Sequence, residues 1–280
     1  MTVNYARCPL VNFDQAEGLR RMLFGAKPRF VTFLSALCNE EKNATLVNLS
    51  AGLGRLGSDV VLLDARQSGA SVAKWLEIQI VATLLDVAHQ KRTIQQATMT
   101  TSQGFKLASF CRYQNTMPDF QPTTTLVMKL NKIVEKLGNS ADIVLVDGEL
   151  DDSNGLATVA LEEGEIVIQV TNHPDSIKTA YSLIKRAHGK FGRRYYGVLV
   201  TGVNEFEAHR VYDAMAQAAG NFLSVPLNFV GYVPQDDFLR RASRSGRTVL
   251  DAFPTAGAAM AFSRLAQQMT GIDEFASLHG

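Results

Sequence analysis

Lys42, Asp64 and Asp147 are the residues of this chain whose types and settings suit joint chemistry. Lys42 lies in the segment Ser35-Ala36-Leu37-Cys38-Asn39-Glu40-Glu41-Lys42-Asn43-Ala44-Thr45. An apolar run at 29–34 precedes that segment, and a stretch at 46–56 with helical apolar spacing follows it. Strand, loop, lysine and helix in that order form the layout of a nucleotide site, where an ammonium and the helix N-terminus face phosphate. Asp64 and Asp147 each close a further apolar run. The segment has the position and the lysine of a phosphate-binding loop but none of its glycines.

These residues need a scaffold, and the rest of the chain supplies one. Apolar runs rich in Val, Ile, Leu and Phe fall at 29–35, 59–64, 105–110, 142–147, 165–171, 196–203 and 228–233. They show little alternation, as strands covered on both faces should. Amphipathic stretches fall between them at 44–56, 83–89, 124–137, 174–191, 205–219, 237–243 and 256–269. The alternation predicts an α/β fold of three layers, with a mostly parallel sheet of seven or eight strands between helices. Ligands of such sheets bind beyond the carboxyl ends of the strands, where Ser35, Asp64 and Asp147 fall. Residues 1–28 stand apart as a separate segment, with 29–280 as the α/β domain. Residues 111–123 read as a long loop.

Gross composition narrows the function. The formal net charge is +1, so no global field favours nucleic acid or a membrane surface. Three cysteines, Cys8, Cys38 and Cys111, are too few and too scattered for a disulfide framework or a zinc site. They fit a reducing cytoplasm. No apolar run approaches the length of a membrane span, and the N-terminus lacks the pattern of a signal peptide.

The order and spacing of several short stretches resemble the MinD/ParA group of deviant P-loop ATPases, and within it the FlhG-like (FleN) regulators of flagellar number. Val47-Asn48-Leu49-Ser50-Ala51 with Leu56-Gly57 is similar to the group's first helix. Val60-Val61-Leu62-Leu63-Asp64-Ala65 is similar to its second strand, and 141–147 to the strand ending in the Walker B aspartate. Thr171-Asn172-His173-Pro174-Asp175-Ser176-Ile177 is close to a stretch typical of FlhG. Gly231-Tyr232-Val233-Pro234-Gln235-Asp236 and Phe253-Pro254 resemble the final strand and the last helical region. Asp14-Gln15-Ala16-Glu17-Gly18-Leu19-Arg20-Arg21 matches a short element ahead of the ATPase core.

The resemblance implies that this last element docks on an FlhF-like GTPase and stimulates it, with Asp14, Gln15, Ala16, Leu19 and Arg20 as contact residues. The physics is compatible: Asp14 can cap the helix, and Ala16, Leu19 and Leu23 share a face. An ordinary amphipathic helix packed on its own domain has the same spacing. Gly18 costs an isolated helix about 1 kcal/mol relative to Ala, so the element is expected to order on binding. Flagellar switch proteins or transcriptional regulators are further implied partners.

The departures concern the nucleotide. The group's Gly-Gly-Val-Gly is Cys38-Asn39-Glu40-Glu41 here. Forcing such residues into the backbone conformations of a phosphate loop costs on the order of 1–3 kcal/mol each. Glu40 and Glu41 are expected to add negative charge where a triphosphate needs positive potential. Asn43 stands where a Ser or Thr hydroxyl meets magnesium, and Leu37 where the lysine reaches the partner's nucleotide. Arg66 replaces the aspartate that orients water, and Thr201 an asparagine that reads adenine.

Lys42, Asn43, Asp64 and Asp147 are thus expected to mark a vestigial nucleotide site, with no catalytic residue assigned, no metal and no cofactor. A weak ATPase using ATP with Mg²⁺ is the alternative, and a ParA-like positioning factor for another cargo is a third reading. Lys42 also reads as a helix-start residue satisfied by Glu40 or Glu41, and the two aspartates as loop caps. Without the phosphate loop and the trans lysine, a monomer or a nucleotide-independent dimer is expected. His173, His188 and His209 fit no metal spacing. Arg240, Arg241, Arg244 and Arg247 form a basic run, read as a solvated helix face or a partner surface. The tail after Met269 is short and acidic, so membrane association is not expected. At a net charge of +1 nucleic-acid binding is not expected either, and the expected location is the cytoplasm.

Overall fold

The computed structural model describes residues 29–66, 71–112 and 123–271. The N-terminal side of the expected division at residue 28, with Asp14, Gln15, Ala16, Leu19 and Arg20, lies outside them, as do most of the expected 111–123 loop and the tail from 272.

Among the described residues, eight strands form one sheet in the order β3-β4-β2-β5-β1-β6-β7-β8. They are β1 (Arg29–Ser35), β2 (Val60–Asp64), β3 (Thr98–Thr100), β4 (Lys106–Ser109), β5 (Ile143–Asp147), β6 (Glu165–Val170), β7 (Tyr196–Thr201) and β8 (Asn228–Val233). All pairings are parallel except β3 with β4. The seven expected strands are present within a few residues of their expected bounds. β3 is the addition: three residues on the edge, too short and too polar to register as an apolar run.

The helices are α1 (Asn39–Arg55), α2 (Val72–Trp75), α3 (Leu84–Ala88), α4 (Ile94–Ala97), α5 (Thr124–Gly138), α6 (Val159–Glu162), α7 (Pro174–Phe191), α8 (Glu205–Leu223), α9 (Asp237–Arg244), α10 (Val249–Ala252) and α11 (Gly257–Thr270). Four of them, α2, α4, α6 and α10, are single turns that no periodicity could announce. α8 runs past its expected end at 219 to Leu223 and stops where Ser224 turns left-handed at φ 55°.

Two cores flank the sheet. Phe30, Leu63, Val146, Ile168 and Val198 point to one side, against α3, α5, α7 and α8. Val31, Phe33, Leu62, Leu145 and Val167 point to the other, against α1, α10 and α11. Every residue of β2 and β5 is buried, which explains their unbroken apolar sequence.

α1 is the helix that matters for the site. It is buried without interruption from Lys42 to Leu53, because the sheet lies on one flank and α10 and α11 on the other. Burying each of Leu46, Leu49 and Leu53 contributes about 1.5–3 kcal/mol. Gly52 permits the closest approach to α11: a Cβ there would lie 3.2 Å from that of Ala266. Asn48 is buried with both ends of its amide used, Nδ2 donating to Ala44 O at 2.7 Å and Oδ1 accepting from Val249 N at 2.8 Å. The first helix is therefore fixed along its length.

Candidate functional site

The retained residues meet on the α1 side of the sheet, at the carboxyl ends of β1, β2 and β5. β1 ends at Ser35 and α1 begins at Asn39, so the crossing is three residues, 36–38. Ala36 N donates to Gln169 O at 3.0 Å, and Leu37 N donates to Ser35 Oγ at 3.1 Å. Cys38 is the N-cap residue, in extended backbone at φ −67° and ψ 158°. Lys42 N donates to Cys38 O at 3.1 Å, which closes the first helical turn.

This corrects the expected loop over 35–45 and the expected helix start at 44. Asn39 to Thr45 is helix. The reason lies in the side chains. Glutamate and lysine are good helix formers, and glutamates in a first turn complement the positive end of the dipole. Without glycine to hold the backbone open, the chain coils early. Glu40 and Glu41 are exposed on that turn. Their charges therefore face solvent.

Lys42 turns inward. It is 1% exposed, and its Nζ lies 2.5 Å from Oδ2 of the fully buried Asp147. The expectation that Glu40 or Glu41 would satisfy it locally is overturned by a partner 105 residues away. Burial pushes the ammonium below its ordinary range, and the charge of Asp147 offsets part of that. Burial likewise raises the Asp147 carboxyl, with Lys42 and then Arg66 pulling it back. Asp147 Oδ1 has no hydrogen-bond partner among the described residues, nor has either amide atom of the buried Gln169.

Asp64 fits the loop-cap reading. Its Oδ2 accepts from Val72 N at 3.3 Å and its Oδ1 from Arg66 N at 3.5 Å, so it holds the chain that leaves β2. Asn43 is buried and its Nδ2 donates to Ser71 O at 3.4 Å. Arg66 reaches across the carboxyl edge: Nη1 donates to Asn39 Oδ1 at 2.6 Å, and Nε lies 3.7 Å from Glu149 Oε2. It ties the first residue of α1 to the chain beyond β5. Thr201 ends β7 and is buried, while Leu37 is half-buried in the crossing. Partial burial, with Glu41 nearby, holds the Cys38 thiol above its ordinary range, which does not favour a reactive cysteine there.

Asn39, Glu149 and Gln169 belong to this cluster and were not singled out from sequence. Gln169 carried a signal, an amide inside the apolar run of β6. The other two meet Arg66, a contact no spacing reveals.

Magnesium with a nucleoside triphosphate is what the resemblance implies, and this arrangement does not fit it. The lysine is drawn into an internal pair, and its amide is held in a helical hydrogen bond to Cys38 O.

No protein-family model matches the chain. Antiactivator FleN of Pseudomonas aeruginosa is 27% identical over 231 residues, which is 81% of this chain and 81% of FleN. Aquifex aeolicus MinD, solved in a MinC:MinD cell division complex, superposes with a TM-score of 0.66 at 20% identity, covering 87% of this chain and 96% of that one. A ParA family ATPase from Chlorobium tepidum gives a TM-score of 0.63 at 15% identity over 85% and 97% of the two chains. The fold is thus that of the P-loop NTPases of the MinD/ParA type. The sequence resembles that type along most of its length, FleN among them.

Proposed function

We propose that this chain is a degenerate FlhG-like regulator of flagellar number or placement, working by protein contact without ATP hydrolysis in the cytoplasm. The buried Lys42–Asp147 pair carries the reading. Hydrolysis needs a positioned triphosphate and donors aimed at its developing charge. Here the cation meant for phosphate is neutralised by a carboxylate of its own fold, and the loop amides are replaced by helix. Similarity to FleN, an antiactivator by name, supports the regulatory side.

In this reading the segment 14–21 docks on an FlhF-like GTPase and stimulates it, with Asp14, Gln15, Ala16, Leu19 and Arg20 at the contact. Flagellar switch or transcriptional proteins engage the α/β domain, which is a monomer or a nucleotide-independent dimer. Two experiments test this. Calorimetry with ATP and Mg²⁺ is expected to give no micromolar binding, and turnover no dependence on Lys42. An FlhF-like GTPase is expected to hydrolyse GTP faster with a peptide covering 8–26; no stimulation beside a working positive control rejects the GTPase role.

A second reading is a weak ATPase that keeps Lys42, Asp64 and Asp147. Unused hydrogen-bonding capacity at Asp147 Oδ1 and Gln169 favours it, since buried polar atoms normally find partners. Micromolar ATP binding that disappears in Lys42→Ala would establish it over the first.

A further inference from the structure

The basic run expected around Arg240 forms an organised surface on α9. Four arginines stand against one aspartate between Asp237 and Arg247, while the whole chain carries only +1. The excess is local. Leu239 and Ala242 face inward, the first half-buried and the second fully. Phe238, Arg241 and Arg244 face outward at three-residue spacing, and all are exposed. Phe238 and Phe253 pack with ring centroids 4.8 Å apart. The Arg241 guanidinium lies over both rings, 5.6 Å and 5.3 Å from their centroids. Arg240 is neutralised by Asp237 and Arg247 donates to Asp251 O. Neither Arg241 nor Arg244 has a carboxylate partner among the described residues.

We infer that Phe238, Arg241, Arg244 and Phe253 form a docking surface for a short acidic segment of a partner protein that carries an apolar anchor. Charge complementarity selects the occupant. Stacking on two rings holds the Arg241 fork with little rotamer freedom left to lose, and a planar fork binds carboxylate bidentately. The half-exposed Phe238 ring beside it offers a place for a leucine or aromatic side chain. A nucleic acid would lay continuous phosphate over Asp237 and Asp251, both exposed, and would find no long-range field on a chain of charge +1. A bilayer would find one exposed aromatic on a helix whose other apolar residues face the core. A segment with spaced carboxylates avoids the first mismatch and needs only a small apolar contact.

The inference goes beyond the function proposed above and does not depend on the state of the nucleotide site. Its test uses the full chain and a fluorescein-labelled probe, Gly-Glu-Glu-Phe-Leu-Asp-Glu-Gly, read by anisotropy at low salt. Saturable binding is expected, weaker by at least about tenfold in Arg241→Glu/Arg244→Glu and in moderate salt. Lys132→Glu/Lys136→Glu, a reversal on the exposed face of α5, is expected to leave binding unchanged. Should the double reversal fail to fold, Arg244→Gln is expected to weaken binding about threefold. The inference is overturned by absence of saturable binding, by equal binding of the variants, or by tighter binding of an oligonucleotide or of phosphatidylserine vesicles than of the peptide. ATP calorimetry on the same samples reports separately on the nucleotide reading.

Discussion

Two strand-to-helix crossings at the carboxyl edge of the sheet place glutamates in the first turn of a long helix, and they end differently. Between β7 and α8, Gly202 turns with φ +77° and Asn204 caps the helix, its Oδ1 accepting from Glu207 N at 2.9 Å. Glu205 and Glu207 then sit where the dipole favours them. That crossing is an ordinary helix start and its parts agree. Between β1 and α1, Glu40 and Glu41 are likewise in the first turn, but Cys38 makes no cap hydrogen bond, and a lysine one turn on is buried against Asp147. In the function proposed above, the same residues that strengthen a helix start also remove a phosphate cradle. The first crossing has the side chains of the second while keeping the lysine of a nucleotide site, and Asp147 has become that lysine's counter-ion.

The sharpest way to break this comparison is to remove the counter-ion's partner. Lys42→Met leaves Asp147 buried and uncompensated, and is expected to destabilise the fold by about 3–5 kcal/mol in urea denaturation. Lys42→Met/Asp147→Leu removes both charges and is expected to recover most of that loss. If the single variant costs nothing, the pair is not the centre of the site.

The same pair gives a pH signature against that double variant. The folded pKa of Asp147 is raised, so its contribution is full below the unfolded value of 3.8 and falls away as pH rises through the folded one. The folded pKa of Lys42 is lowered, so its contribution is full above 10.5 and falls away as pH drops through the folded value. Relative to the double variant, the wild type is therefore expected to be least stable between the two folded values. Urea titrations across pH check this; a flat difference rejects the assignment of the pair as desolvated charges.

How far the sequence could be read follows from the same contrast. Long apolar runs such as 142–147 and 165–171 announced buried parallel strands because both faces are covered. Amphipathic spacing announced α5 and α7, whose outer faces meet water. α1 was read five residues short, because a lysine behind a strand suggested a loop while Asn39, Glu40 and Glu41 were already helical. Lys42, Asn43, Asp64 and Asp147, the four candidate residues, are all buried, but who holds whom is not legible in the sequence. Lys42 and Asp147 are joined only by the register that sets β5 beside β1, with Asp147 opposite Phe33. Arg66 was read as a lost aspartate, and its hydrogen bond to Asn39 needed the early helix start to exist.

A smaller effect is expected from restoring glycine to the first crossing. Asn39→Gly/Glu40→Gly/Glu41→Gly gives up helix propensity at three positions and two charges favoured by the dipole, about 2–3 kcal/mol in all. Glu205→Gly/Glu207→Gly at the second crossing is expected to cost about 1–2 kcal/mol by the same mechanism. Neither variant is expected to gain ATP affinity in calorimetry, because Lys42 stays on Asp147. ATP binding by the triple-glycine chain would mean that the side chains of the loop alone, and not the ion pair, close the site.

The smallest effect concerns the caps and separates the crossings most finely. Asn204→Ala removes a cap hydrogen bond and is expected to cost about 1 kcal/mol. At Cys38 the backbone already has cap geometry, and the sulphur lies beside the Glu41 and Glu40 amides without making a cap hydrogen bond. A thiol is a weak acceptor, so those amides are poorly satisfied. Cys38→Asp places a carboxylate oxygen against the same donors and adds a charge the dipole favours. Glu40 and Glu41 oppose part of that gain, since like charges two and three residues away, within one helical turn, still repel weakly on an exposed start. The net expectation is a gain of about 0.5 kcal/mol, read as a rise in the urea midpoint at unchanged slope. A loss instead would mean that the thiol is held by its surroundings in a way the cap geometry does not express, and that the first crossing is not a helix start awaiting its cap.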